Sequence, residues 1–128
     1  MKKYHEQDNS LCLSHFYRSL RNAFRGLKLL FKYEYNLYRE ITLAFFAIIL
    51  GFYFSLSEGE WLALVLVIGL VIFAEITNTV SERIMDFVHP DYHLEVGKIK
   101  DLAAGAVLFT SFISLVIACI IFLPKIFS

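Results

Sequence analysis

"EWLALVLVIGLVIFAEITNTVSERIMDF", residues 60 to 87, begins as a membrane span and ends as something else. From Trp61 to Ala74 every residue is apolar or glycine, and then Glu75, Asn78, Glu82, Arg83 and Asp86 arrive with no proline or glycine to break the helix. A bilayer span needs about 20 helical residues. This one reaches that length only by taking Glu75 to Val80 into the membrane. A charge at such depth costs roughly 2.5–3.5 kcal/mol even on the lenient insertion scale, so each one calls for a partner or a task. At about 100° per residue, Glu82 falls about 20° to one side of Glu75, Asp86 about 20° to the other, and Asn78 within about 60°. Three carboxylates and an amide therefore share one helix face.

The rest of the chain agrees with a membrane reading. Its 128 residues are 58% hydrophobic, 16% aromatic and only 19% charged, more apolar surface than a soluble domain of this size can bury. Two further apolar stretches flank the first, "ITLAFFAIILGFYFSL" behind Arg39 and Glu40, and the uncharged run 102–123. The pattern predicts an all-α membrane protein with transmembrane helices within 37–56, 61–87 and 100–123, in one domain. Upstream, "LSHFYRSLRNAFRGLKLLFKY" (13–33) repeats Phe16, Leu20, Phe24, Leu27 and Phe31 on one face and Arg18, Arg21, Arg25, Lys28 and Lys32 on another. That is the signature of an amphipathic helix lying in the membrane interface. Residues 1–12 are expected to form a flexible N-terminus, with no apolar region of a secretory signal behind Lys2 and Lys3.

Orientation follows from the basic residues. All of them except Lys125 lie before residue 40 or at Arg83, Lys98 and Lys100, and the "SEGE" connection has none. The positive-inside bias places the N-terminus and the 83–100 connection in the cytoplasm, with "SEGE" and the C-terminus outside. Trp61 suits an interfacial aromatic position. The twelve basic and twelve acidic residues balance, and the basic stripe of 13–33 backs bulky apolar residues, so nucleic acid is not an expected partner.

The polar face of the second span reads as a site for a hard divalent cation. Interhelical hydrogen bonding would explain one or two such groups, but a ladder of carboxylates exceeds that need. Mg²⁺ takes one or two carboxylates together with phosphate oxygens, and so implies a nucleotide. Glu34 in "YEYN" and Lys98, Lys100 and Asp101 in "GKIKDLAAGAVL" can reach the same side of the membrane, and lysines beside carboxylates suit phosphoryl transfer. No GxxxxGK[ST] loop or protein-kinase motif set is present. "HPDYH" (89–93) reads as a tight turn in which Pro90 ends the preceding helix, its two histidines lacking a zinc ligand set. Cys12 and Cys119 are far apart with no metal spacing. Gly97 and Gly105 read as close helix-packing positions.

"RGLKLLFKYEYN", "EITNTVSERIMD" and "PDYHLEVGKIKDLAAGAVL" together resemble the prokaryotic diacylglycerol kinase and undecaprenol kinase family over about residues 16 to 123. The resemblance implies a homotrimer of the bacterial inner membrane, with sites near the cytoplasmic surface assembled from neighbouring protomers. It implies transfer of the γ-phosphoryl group of MgATP to a lipid hydroxyl. Carried over by motif, Glu75 is the base, Glu34 and Glu82 hold Mg²⁺, and Asn78 orients the reacting groups. Lys100 neutralises phosphate charge, and Asp86 and Asp101 support the nucleotide. Thr77, Val80, Ser81 and Tyr38 depart from the family's usual residue types while every carboxylate is kept. "SEGEW" and "HPDYH" look closer to the Gram-positive type, which favours undecaprenol, with diacylglycerol the alternative acceptor. A catalytically silent membrane-interaction protein of the same fold is the alternative from another class.

Overall fold

The computed structural model describes the backbone of residues 2–91 and 93–128, and the side chains of 13–32, 34–91 and 93–128. Four helices follow one another: α1 (Lys2–Tyr33), α2 (Tyr35–Tyr53), α3 (Glu58–Val88) and α4 (Leu94–Ile126). The chain divides into two compact units, residues 1–34 and 35–128.

The first unit is α1. Its helical backbone runs from Lys2. Residues 2–12 contain neither proline nor glycine, so nothing in the sequence stops a helix propagating back through the expected flexible segment. Phe16, Tyr17 and Phe24 are all exposed on this helix.

The second unit holds the three spans, each long and apolar enough to cross a membrane. At 1.5 Å per residue α2 is about 28 Å long, while α3 and α4 reach about 46 and 50 Å against a hydrocarbon core of about 30 Å. The two longer helices therefore extend beyond the apolar slab. α3 lies between the others and packs against both, more extensively against α4. Elsewhere Leu62, Leu66, Phe73, Leu102, Leu108 and Phe112 stand exposed, a surface suited to lipid or to other membrane helices and not to water.

The packed core sits at one end, where α2 stops, α3 starts and α4 finishes. Leu56, Leu64, Ile121 and Phe122 are buried together there, with Phe54, Trp61 and Ile117 against them. The turn that brings α3 back begins with the Leu56 N–H donating to the Gly51 carbonyl (3.1 Å) and the Ser55 N–H to that of Phe52 (3.2 Å). Ser55 is left-handed, with φ at 50°, so the pair forms the 6→1 and 5→2 closure of a helix C-terminus, with serine at the position usually held by glycine. Gly51 has a specific reason to lack a side chain. A Cβ there would stand 2.8 Å from the Trp61 ring and 3.2 Å from Leu56.

α3 then starts on a reciprocal cap. The Ser57 Oγ accepts from the Glu60 N–H (3.4 Å), and the Glu60 carboxylate accepts from the Ser57 N–H (2.7 Å), satisfying donors that would otherwise be orphaned at the helix start. Lys125 of α4 pairs with the same Glu60 at 3.1 Å. Gly97 and Gly105 do not play the packing part expected of them within this chain, since a Cβ at either would meet nothing within 4 Å. Their helix faces turn away from the neighbours that α4 has in one protomer.

Candidate active site

The opposite end of the bundle is where polar groups are buried. Among the described residues the buried polar side chains are Glu75, Asn78 and Thr79, at 5%, 7% and 6% exposure, all within two turns of α3. Each lies where the helix period carries it inward beside Val71 and Ala74, which are also buried. Counting from Trp61, Glu75 lies about 21 Å along the axis, Glu82 about 31 Å and Asp86 about 37 Å. Against about 30 Å of hydrocarbon, Glu75 is inside the apolar slab, Glu82 at its boundary and Asp86 beyond it.

The acidic groups are held by cations and an amide from α2, α3 and α4. The Arg39 guanidinium on α2 lies 3.8 Å from the Glu75 carboxylate and 3.4 Å from that of Glu40. Asn78 donates its amide Nδ2 to the Glu82 Oε1 at 3.0 Å. Asp86 forms an ion pair with Lys100, tying the end of α3 to the first turns of α4. Asp101 is exposed one residue further on, and Glu34 belongs to the first unit. No three His, Cys, Asp or Glu side chains gather to hold an ion among the described residues. Helix geometry accounts for that: seven residues separate Glu75 from Glu82, about 10 Å of rise.

One atom is left over. Asn78 Oδ1 is buried and has no hydrogen-bond partner, a state that costs about 1–3 kcal/mol unless something donates to it. A buried acceptor between two carboxylates fits a site that receives a donor such as a hydroxyl. The spaced carboxylates also fit Mg²⁺, which needs few protein ligands when it arrives with phosphate. On α3 and α4 an apolar groove of about 470 Å³ is lined by Phe73, Asn78, Leu102, Ala106 and Thr110.

Sequence reasoning placed Glu75, Asn78, Glu82 and Asp86 on one face, and the structure carries all four along α3. It missed Arg39 as the partner of Glu75 and Thr79 as a buried neighbour. Thr79 follows Glu75 by four residues and could have been found from the helix period alone. Arg39 gave the weaker signal of a cation at the mouth of a span, which needs some partner. The hydroxyls that depart from the family pattern are satisfied locally: Thr77 donates to the Phe73 carbonyl (2.8 Å) and Ser81 to that of Thr77 (2.9 Å), so neither leaves a bare donor in an apolar setting.

Fold and site define a three-span membrane protein whose charged chemistry is confined to one end of the bundle. Residues 21–122 match the family described as prokaryotic diacylglycerol kinase. The undecaprenol kinase of Bacillus subtilis (strain 168) is 35% identical over 113 residues, covering 88% of this chain and 92% of that one. A diacylglycerol kinase of Helicobacter pylori (strain J99) is 32% identical over 81 residues, 63% of each chain. The chain belongs to the prokaryotic diacylglycerol kinase family. It is a membrane lipid kinase, with ATP as the phosphoryl donor.

Proposed function

We propose that the acceptor is undecaprenol and the product undecaprenyl phosphate, made at the cytoplasmic face of the bacterial inner membrane. The observation that supports placing the transfer on α3 is its graded polar face, with Glu75 buried and Glu82 and Asp86 progressively more exposed. A lipid alcohol held in the bilayer can meet Glu75 from the membrane side, while a nucleotide meets the rest from the aqueous side. The apolar groove that includes Asn78 in its lining supports a place for the part of the lipid next to its hydroxyl.

In this reading Glu75 takes the proton of the lipid hydroxyl as the oxygen attacks the γ-phosphorus and ADP leaves. Arg39, 3.8 Å away, orients the Glu75 carboxylate, and Asn78 aligns the reacting groups. Glu82 and Glu34 hold Mg²⁺, which neutralises phosphate charge when bound. Lys100 supplies a further cation to the phosphates, with Asp86 and Asp101 supporting the nucleotide. Positioning and electrostatics of this kind are most of what phosphoryl transfer asks of a protein.

Three copies assemble around shared sites, covering apolar surface that one protomer leaves exposed, and α1 lies in the cytoplasmic interface with its basic stripe toward lipid headgroups. The undecaprenol assignment rests on the relative that this chain matches along 88% of its length. Diacylglycerol is the second reading, favoured by the shorter matches to the Helicobacter pylori enzymes. Labelled ATP offered with both lipids in mixed micelles decides between them. The expected result is a higher kcat/KM for undecaprenol. The reverse order moves the assignment to diacylglycerol, and no labelled lipid from either overturns it.

A further inference from the structure

α4 begins on an unusual cap. His93 is its N-cap residue, in extended backbone with φ at −139° and ψ at 133°, and its ring nitrogen Nδ1 accepts from the Glu95 N–H at 3.3 Å. Only a neutral imidazole with its proton on Nε2 can accept in this way. The turns that follow have little stability of their own. Leu94 to Lys100 read "LEVGKIK", in which Gly97, Val96 and Ile99 are weak helix formers. Lys98 and Lys100 stand near the positive end of the helix dipole, where cations are disfavoured. Against these stand the cap, the Glu95–Lys98 pair at 2.7 Å and the Lys100–Asp86 pair across to α3.

Lys100 follows His93 by seven residues, two helical turns up nearly the same face. Whatever loosens the cap loosens the segment that presents Lys100. Among the described residues, the titratable and charged side chains within five positions of His93 in the chain are His89, Asp91, Glu95 and Lys98. His89, at the end of α3, is the nearest described ring, with centroids 5.3 Å apart and planes tilted by 31°. Protonation of His93 would turn Nδ1 from acceptor to donor, place a cation at a helix N-terminus, and set it beside a second imidazole able to carry charge. All three changes act against the capped state. Asp91 and Glu95 attract the protonated ring but cannot restore an acceptor to the Glu95 N–H.

We propose that His93 is a positioning residue for the transfer: its neutral imidazole caps α4 and so holds Lys100 on Asp86, and its protonation releases both. The consequence for catalysis rests on the reading of Lys100 as a phosphate-binding cation, whereas the consequence for the helix does not. Loss of the cap would therefore lower the affinity for the nucleotide.

The test compares His93→Asn, which keeps an accepting cap without a titrating ring, with His93→Ala, which removes the acceptor. Both are prepared as the full chain in detergent, and two quantities are followed from pH 5.5 to 8: kcat/KM for ATP, and hydrogen exchange of the amides of residues 94–100. At pH 8 His93→Ala should exchange faster there and lose about threefold to tenfold in kcat/KM, mainly through KM, while His93→Asn should match the wild type in both. Between pH 8 and 5.5 the wild type should drift toward the alanine variant and His93→Asn should not. Unchanged exchange in His93→Ala overturns the cap. Faster exchange with an unchanged KM for ATP overturns the positioning role, and an equal acid loss in His93→Asn overturns the protonation step. Failure of the kinase reading would show separately, as wild-type protein that labels no lipid.

Discussion

The two ends of the three-span bundle are built on different principles. At the end where α2 turns into α3, Leu56, Leu64, Ile121 and Phe122 close an apolar core. The Phe52 and Trp61 rings meet at 4.8 Å, those of Phe54 and Phe122 at 6.1 Å, and Ser57, Glu60 and Lys125 satisfy one another. At the other end, among the described residues, Asn78 keeps a buried atom without a partner, Glu75 and Glu40 lie beside Arg39, Asn78 donates to Glu82, and Asp86 pairs with Lys100. The apolar packing is concentrated at one end, and the buried polar groups lie at the end proposed for the chemistry. In a thin membrane protein the welded end lets the other end remain open to substrates, because local stability need not be uniform.

The largest expected effect that separates the ends is Glu75→Gln. It keeps size and hydrogen bonding but removes the proton acceptor, a role worth about 10²- to 10⁴-fold in rate. Turnover should collapse while assembly and MgATP binding persist. Lost nucleotide binding that high Mg²⁺ fully restores would instead make Glu75 a metal ligand.

Leu64→Ala attacks the welded end and should do the opposite. A leucine truncated at 2% exposure leaves a cavity costing about 2–5 kcal/mol. Thermal stability in detergent should fall while the kcat of the folded fraction is kept. A fall in kcat at unchanged stability would contradict the division between the ends.

Glu82→Gln sharpens the polar end. Glutamine can still accept from Asn78, so assembly should be normal, yet most lipid phosphorylation should be lost and raised Mg²⁺ should recover part of it. Combined with Glu34→Gln, the loss should be smaller than the two single losses multiplied, as for residues that act as a unit. An active Glu82→Gln enzyme with unchanged Mg²⁺ dependence would leave Glu82 a structural residue.

The smallest effect belongs to the turn. Ser55→Gly relieves a left-handed serine and should stabilise by about 1 kcal/mol with kinetics unchanged, measured by thermal denaturation. No gain would mean that the Ser55 conformation carries no strain.

Much of this architecture was legible before any coordinates. Spans and polar face are statements about period and length, which hydrophobic residues spaced along one chain express directly, and α3 follows them with its ends shifted by only a few residues. The candidate site residues on α3 share a face for the same reason, since Glu75, Asn78, Glu82 and Asp86 are related by one helix. Harder to read were relations between helices. Gly97 and Gly105 look like packing glycines in the sequence and have open space beside them, whereas Gly51, unremarked in the sequence, is the one pressed by Trp61.

The sequence by itself determined the membrane class, the three spans, the polar face of α3 and the family, because each is carried by local composition, periodicity or motif order. Only the tertiary structure decided that Arg39 meets Glu75, that Lys100 meets Asp86, that Asn78 keeps an unpaired oxygen and that His93 caps α4. Those facts depend on how helices rotate and cross and on the path of a short connection. Side chains far apart in sequence meet through such packing, and no period along a single chain encodes the meeting.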